Sequence, residues 1–261
     1  MNIALFGTSA DPPTVGHQQI LLGLATQFDR VVVWASDNPF KHHGASLNDR
    51  AGMLSLVVDE ANTVLGSGHS SGDLTHSYLT NPHLTNSHLP NSHLPNSHLT
   101  SPNLPNPLTE DATRPTCSTS PKIQLRSELS HRQTIVTVEQ ARKYWPDGTF
   151  TLVIGSDLVT QLPQWYRSQD LLSQVKLLVI PRPDFPINDA ALEPLRALGT
   201  KATIAHWQGL PVSSTAFREA GSITSITPAV HSFIRQNQLY PSLYRPSFYQ
   251  EARCQDNVHA I

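Results

Sequence analysis

Two short stretches combine the residue types that hold phosphate. The first is Gly7-Thr8-Ser9-Ala10-Asp11-Pro12-Pro13-Thr14-Val15-Gly16-His17. It follows an apolar run and opens a helical pattern, and a helix start offers unpaired backbone N–H groups and a positive dipole end. Gly7 is expected to turn the backbone out of a strand without a Cβ clash. Pro12 and Pro13 stiffen the loop, and Gly16 is expected to leave room for a base or a phosphate. Thr14 and His17 are three apart, so their side chains share one helix face. The second stretch is Val212-Ser213-Ser214-Thr215-Ala216-Phe217-Arg218. Its consecutive hydroxyl residues can cap a helix beside free N–H groups. Arg218, one turn beyond Ser214, presents a planar guanidinium suited to bidentate contact with phosphate. Either stretch alone fits an ordinary capped helix, and the first matches neither the Walker pattern nor Gly-x-Gly-x-x-Gly. Together they suggest a triphosphate held between two helix starts, with Gly7, Thr8, Ser9, Gly16 and His17 on one side and Ser213, Ser214, Thr215 and Arg218 on the other.

Such groups must be carried by elements that converge. Ile3 to Phe6 is a short apolar run ended by Gly7, as in a buried parallel strand. Ile20, Leu21, Leu24 and Phe28 recur at helical spacing between Gly16 and Phe28. Val31 to Ala35 is a second strand-like run, and Asn48 to Leu65 reads as a helix with Asn48 or Asp49 as N-cap. Further helices are expected over Thr134 to Trp145, through Leu171, and near Ser214 to Ala220 and Pro228 to Gln236. Further strands are expected at Phe150 to Ile154, Leu177 to Ile180 and Thr203 to Ala205. Short buried strands alternating with helices predict an α/β fold, a Rossmann-like doubly wound parallel sheet in a single domain.

Between residues 66 and 121 the composition changes. Asn81-Pro-His-Leu-Thr, Asn86-Ser-His-Leu-Pro, Asn91-Ser-His-Leu-Pro and Asn96-Ser-His-Leu-Thr form a five-residue repeat. One leucine in five cannot offset the entropy of ordering the chain, so 66–121 is expected to be a disordered insert between residues 1–65 and 122–240. Loop closure grows only as the logarithm of length, so widening a short connection to about 56 residues costs only ~2 kcal/mol. His83, His88, His93 and His98 lack the second shell of a metal site. Residues 241–261 are expected to form a largely unstructured tail.

The formal net charge of −2 gives no general attraction to nucleic acid or to an acidic membrane, so a phosphate site must be local. The two cysteines, Cys117 and Cys254, form no disulfide framework or zinc spacing. The N-terminus lacks a charged n-region, and no run approaches the roughly 20 apolar residues of a membrane span. A cytoplasmic protein is expected, and self-association as a homo-oligomer stays open.

The two stretches resemble the signatures of the nucleotidylyltransferases, T/H-x-G-H at Thr14 to His17 and I-S-S-T-x-x-R at Val212 to Arg218. Further segments are similar to the bacterial nicotinate-nucleotide adenylyltransferases. These are Asp37-Asn38-Pro39-Phe40-Lys41 with Arg50, Glu128 to Thr137, Ile154-Gly155-Ser156-Asp157 with Leu162-Pro163-Gln164-Trp165-Tyr166, and Val230 to Tyr240. Thr14 stands where the nicotinate enzymes carry His and phosphopantetheine relatives carry Thr. Ala10 replaces a usual aromatic, and Thr8 a frequent glycine.

The resemblance implies adenylyl transfer from ATP to nicotinate mononucleotide, a step of NAD biosynthesis, with Mg2+ accompanying the triphosphate. It implies His17 and Thr14 at the α-phosphate, Lys41 on the facing loop, and Ser213 to Thr215 with Arg218 at the β- and γ-phosphates. It also implies Asp157 at a ribose, Trp165 stacked on the pyridine ring, and amides near Thr134 and Tyr166 at the carboxylate. Nicotinamide mononucleotide or phosphopantetheine remain alternative acceptors. A reading from another class is a non-catalytic nucleotide sensor.

Overall fold

The computed structural model describes residues 1–38, 41–67 and 121–244. Six strands form one parallel sheet: β1 (Asn2–Thr8), β2 (Arg30–Ala35), β3 (Ile123–Leu125), β4 (Thr149–Gly155), β5 (Lys176–Ile180) and β6 (Ala202–Ile204). Their spatial order is β3-β2-β1-β4-β5-β6. The chain winds outward from β1 through β2 to β3, then from β4 to β6 on the other side. The winding therefore reverses between β1 and β4, and such switch points open a crevice at the carboxyl ends of the strands.

The strands are apolar on both faces because helices cover both. Alternate residues divide between two cores. Ala4, Phe6, Val31 and Val33 pack under α1 (Val15–Gln27), α2 (Leu47–Gly66) and α7 (Pro228–Gln236). Ile3, Leu5, Val32 and Trp34 pack under α3 (Thr134–Tyr144) and α4 (Ser168–Gln174). Two short helices, α5 (Glu193–Arg196) and α6 (Ser214–Ala220), complete the set among the described residues. This is the doubly wound parallel architecture that the alternating pattern predicts.

Several local expectations need correction. β1 runs through Gly7 to Thr8, so Gly7 ends nothing and its backbone is ordinary strand. Its lack of a side chain answers to Trp34, its register partner on β2. A Cβ at Gly7 would lie 2.7 Å from Trp34 Cζ2. The N-cap of α2 is Ser46, whose hydroxyl accepts from Asp49 N–H at 3.1 Å, rather than Asn48 or Asp49. β3 was not anticipated, being three residues long. Residues 241–244 close the described chain as a 3-10 turn, where an unstructured tail was expected. Pro39, Phe40, the repeat at 68–120 and residues 245–261 lie outside the described residues. At both ends of the insert the chain is pinned: Asn62 Nδ2 donates to Ile123 O at 2.9 Å, and Ile123 N–H to Asn62 Oδ1 at 3.2 Å. Among the described residues no helix is long and apolar enough to cross a membrane.

Candidate active site

The carboxyl end of β1 leads through a loop into α1, and His17 sits in that helix's first turn. The backbone N–H of the N-cap, Thr14, donates to His17 Nδ1 at 3.0 Å, and the Thr14 hydroxyl lies 2.9 Å from the same nitrogen. A backbone N–H can only donate, so Nδ1 carries no proton. The remaining proton is therefore on Nε2, which stands 2.8 Å from Thr8 Oγ1. Burial, and then the nearby Arg182 guanidinium, lower the His17 pKa to about 4. At neutral pH the ring is an uncharged donor with a fixed tautomer. Thr14 is buried, so it supports His17 from beneath rather than reaching the open crevice.

The loop itself is held by residues from four other segments. Arg50, at the start of α2 and almost fully buried, donates through Nη1 to Ser9 O at 2.7 Å and Ser36 O at 2.9 Å. Lys41 reaches across from the loop after β2, its Nζ 3.4 Å from Ser9 Oγ. The Ser214 hydroxyl donates to Pro12 O at 2.8 Å, and Arg218 Nη1 donates to Asp11 O. A charged carboxylate, Asp11, lies buried beneath these contacts and accepts from Gly44 N–H, Ala45 N–H and the Tyr240 hydroxyl.

Gly16 has a packing role as well: a Cβ there would stand 2.9 Å from Val212 Cγ2, so the bare Cα admits the segment before α6. That approach sets the stretches Gly7 to His17 and Val212 to Arg218 side by side. Ser213 caps α6, accepting from Ala216 N–H at 3.0 Å. Thr215 is exposed and accepts from Arg218 Nη2 at 3.3 Å. Ser214's proton is committed to Pro12 O, which leaves its oxygen only as an acceptor. Arg218 is turned onto Asp11 and Thr215, so contact with a phosphate would require its guanidinium to swing outward.

On the far side of the switch point, β4 ends at Gly155 and turns through Asp157. Arg182, two residues beyond β5, donates through Nη1 to Asp157 Oδ2 at 3.1 Å, while its backbone N–H donates to Ser156 Oγ at 2.9 Å. Arg182 both helps lower the His17 pKa and pairs with Asp157, and sequence reading missed it. The available signal was its place just past the carboxyl end of a parallel strand. Trp165 caps the turn Leu162–Gln164 and packs half-buried against the second core, while Tyr166 is exposed. Thr134 opens α3. Thr134, Trp165 and Tyr166 share the carboxyl side of the sheet, but among the described residues none makes a hydrogen bond or ion pair with the His17 group.

The cytidylyltransferase-like family profile matches residues 5–81. A probable nicotinate-nucleotide adenylyltransferase from Synechocystis sp. is 34% identical over 256 residues, spanning 92% of this chain and 99% of that protein. The chain belongs to the nicotinate-nucleotide adenylyltransferase family. A protein of the same name from Gemmatimonas aurantiaca is 33% identical over 117 residues, 42% of this chain and 56% of its own length. Among solved structures, the nicotinic acid mononucleotide adenylyltransferase of Plasmodium falciparum complexed with NaAD superposes with a TM-score of 0.60 at 17% identity, covering 92% of this chain and 97% of that one. That likeness carries the fold. Membership in the family makes this chain a nucleotidyltransferase enzyme of NAD biosynthesis.

Proposed function

We propose that the chain transfers the adenylyl group of ATP to nicotinate mononucleotide, giving nicotinate adenine dinucleotide and pyrophosphate. The observation that carries the residue assignment is the neutral, tautomer-fixed His17 at the β1–β4 switch point, with three cations on the elements around it, Lys41 and Arg182 on loops and Arg218 on α6. In this reading the acceptor's 5′-phosphate attacks the α-phosphorus in line, and the O–P bond to pyrophosphate breaks. The protein supplies positioning and charge neutralisation rather than a covalent intermediate.

Each side chain then has a task. His17 Nε2–H gives up Thr8 Oγ1 and donates to an α-phosphate oxygen, where charge shifts in the transition state. Because Nδ1 is held by Thr14, the ring cannot turn away from that oxygen. Gly7, Thr8, Ser9 and Gly16 shape this wall of the nucleotide site. Lys41 meets phosphate charge from above Ser9. Ser213 and Thr215 hydroxyls and the backbone N–H of Ser214, at the start of α6, meet the β- and γ-phosphates, with Arg218 released onto them. Asp157 contacts a ribose hydroxyl while Arg182 keeps its carboxylate in place. Trp165 offers a face to the pyridine ring, and amides at Thr134 and Tyr166 take the nicotinate carboxylate.

Mg2+ belongs to the substrate in this account. Among the described residues no three His, Cys, Asp or Glu side chains cluster to hold a metal, and the groups nearest the phosphates are cations. An ion riding on the triphosphate with its own waters suits such a site. We place the reaction in the cytoplasm, with no nucleic acid or membrane as partner and with self-association as a homo-oligomer left open. Pyrophosphate release from ATP, measured in parallel with nicotinate mononucleotide, nicotinamide mononucleotide and phosphopantetheine, tests the proposal. Preference for nicotinate mononucleotide is expected. Preference for another acceptor overturns the substrate, and ATP binding with no release in any arm identifies a sensor instead.

A further inference from the structure

Asp11 is the meeting point of three parts of the chain. Its Oδ1 accepts from Ala45 N–H at 3.1 Å and from the Tyr240 hydroxyl at 2.8 Å. Its Oδ2 accepts from Gly44 N–H at 2.8 Å, and lies 3.4 Å from Arg218 Nη1 and 3.5 Å from His43 Nδ1. Tyr240 reaches this carboxylate by a strained route. Gln238 and Tyr240 both have left-handed backbones, with φ of 51° and 55°. Residues other than glycine keep that conformation only where their surroundings over-determine it, and such strain collects at functional positions. Here the surroundings are specific. The Tyr240 ring packs edge-on against Phe217 of α6, with centroids 6.0 Å apart. It also presses so closely on Gly44 that a Cβ there would lie 2.7 Å from Tyr240 Cε1. The phenol is buried with the carboxylate, and burial raises its pKa, so it stays a donor.

We propose that Tyr240 is a positioning residue for the donor nucleotide, its hydroxyl satisfying Asp11 so that Arg218 can leave the carboxylate for the triphosphate. This rests on the assignment of Arg218 to the β- and γ-phosphates. A buried carboxylate must keep its donors or bear the full cost of desolvation. When Arg218 departs it gives up its hydrogen bond to the Asp11 carbonyl and its 3.4 Å ion pair with Oδ2, but with Tyr240, Gly44 and Ala45 in place the carboxylate itself retains three hydrogen bonds. Without the phenol, the same departure strips a carboxylate that has already lost a donor, so Arg218 is held back. The segment that follows α7 thereby tunes how readily ATP is engaged, although it contributes no group to the substrates themselves.

The test uses the full chain with Tyr240→Phe, Arg218→Gln and the double substitution, reading kcat, KM for each substrate, and Mg–ATP affinity by calorimetry. Tyr240→Phe keeps the ring and is expected to raise KM for ATP about tenfold, the scale of one lost hydrogen bond to a charge. KM for nicotinate mononucleotide and kcat should stay within a factor of about two, and the substitution should add little in the Arg218→Gln background, because coupled residues are non-additive. An unchanged ATP KM in Tyr240→Phe or in Arg218→Gln would overturn the proposal. So would a full additive effect in the double variant, or losses spread equally over both substrates, since those mark a loosened loop. Calorimetry reads the same ratios without turnover, so a chain that binds ATP and releases no pyrophosphate would refute the proposed reaction while still judging Tyr240. If Tyr240→Phe does not fold, 3-fluorotyrosine at position 240, a stronger donor of nearly the same shape, should lower KM for ATP; an unchanged or raised value would overturn the idea.

Discussion

Replacing His17 by Gln removes a titrating ring, and the stability difference between the two proteins should then depend on pH in a defined way. The folded His17 pKa is about 4 against 6.5 for a free ring, and at 1.36 kcal/mol per unit that gap corresponds to about 3 kcal/mol. The sign follows from proton counting. Between pH 6.5 and 4 the unfolded chain protonates this histidine and the folded chain does not, so the unfolded state binds more protons and stability falls as pH falls. Above pH 6.5 the term is absent, and below pH 4 it is fully present. Urea denaturation of the native chain and His17→Gln, at half-unit steps from pH 4 to 8, gives the difference directly. It should be flat at high pH, then move against the native chain by roughly 1.4 kcal/mol per unit through the middle of the window. In melting experiments this is a relative shift of about 6–12 °C for a domain of this size. A difference that stays flat would show that the folded ring titrates normally, and the neutral-donor role would fall with it. The catalytic counterpart is equally sharp: a kcat that declines as pH rises through 6.5 would mean that the imidazolium is the active form.

His17→Ala should lower kcat by roughly 10²–10³-fold, the scale of losing one preorganised donor, and an unchanged kcat would sink the assignment. Gly7→Ala drives a methyl into the Trp34 indole and should cost about 1–3 kcal/mol; Trp34→Phe, which lacks Cζ2, the nearest of the clashing atoms, should restore part of that loss in thermal melts, and no restoration would refute the packing account. Joining residue 67 to 121 by a short linker should leave kcat and both KM values within a small factor, because Asn62 and Ile123 already hold the two ends together. An insoluble or inactive deletion protein would show that the repeat is needed.

Much of the fold was legible because buried parallel strands announce themselves. Ile3 to Phe6, Val31 to Ala35 and Leu177 to Ile180 are continuous apolar runs, Phe150 to Ile154 is broken only by Thr151, and only a sheet covered on both faces tolerates such runs. β3 escaped because Ile123-Gln124-Leu125 is too short to show a period and follows the repeat. It is ordered by its neighbours instead, pairing Val31 to Val33 on β2. The N-cap of α2 was misplaced by two or three residues for a similar reason. Ser46, Asn48 and Asp49 are all competent caps, and which one is used depends on where Asp11 anchors Gly44 and Ala45.

The site was legible only as far as its local geometry. Thr14 and His17 lie on one turn, so spacing alone brings them together. What gives the histidine its character comes from a distance in the chain. Arg182 helps lower its pKa from beyond β5, Val212 fits against the bare Cα of Gly16, and Ser214 and Arg218 hold the loop by Pro12 and Asp11. None of these pairings has a sequence period, because each joins segments that follow different strands at the carboxyl end of the sheet. Sequence reading assigned Gly7 and Gly16 to the ligand alone and could not see that each also makes room for a distant side chain, Trp34 and Val212. It also passed over Asp11, the one carboxylate in the first stretch. A buried aspartate amid Pro and Gly looks like a turn residue until its donors, drawn from residues 44, 45, 218 and 240, are set around it. The physical consequence is that the loop between β1 and α1 is not a self-contained motif. Its shape is held by contacts whose partners lie up to 229 positions away, so substitutions in the closing segment should alter ATP handling without touching the nucleotide.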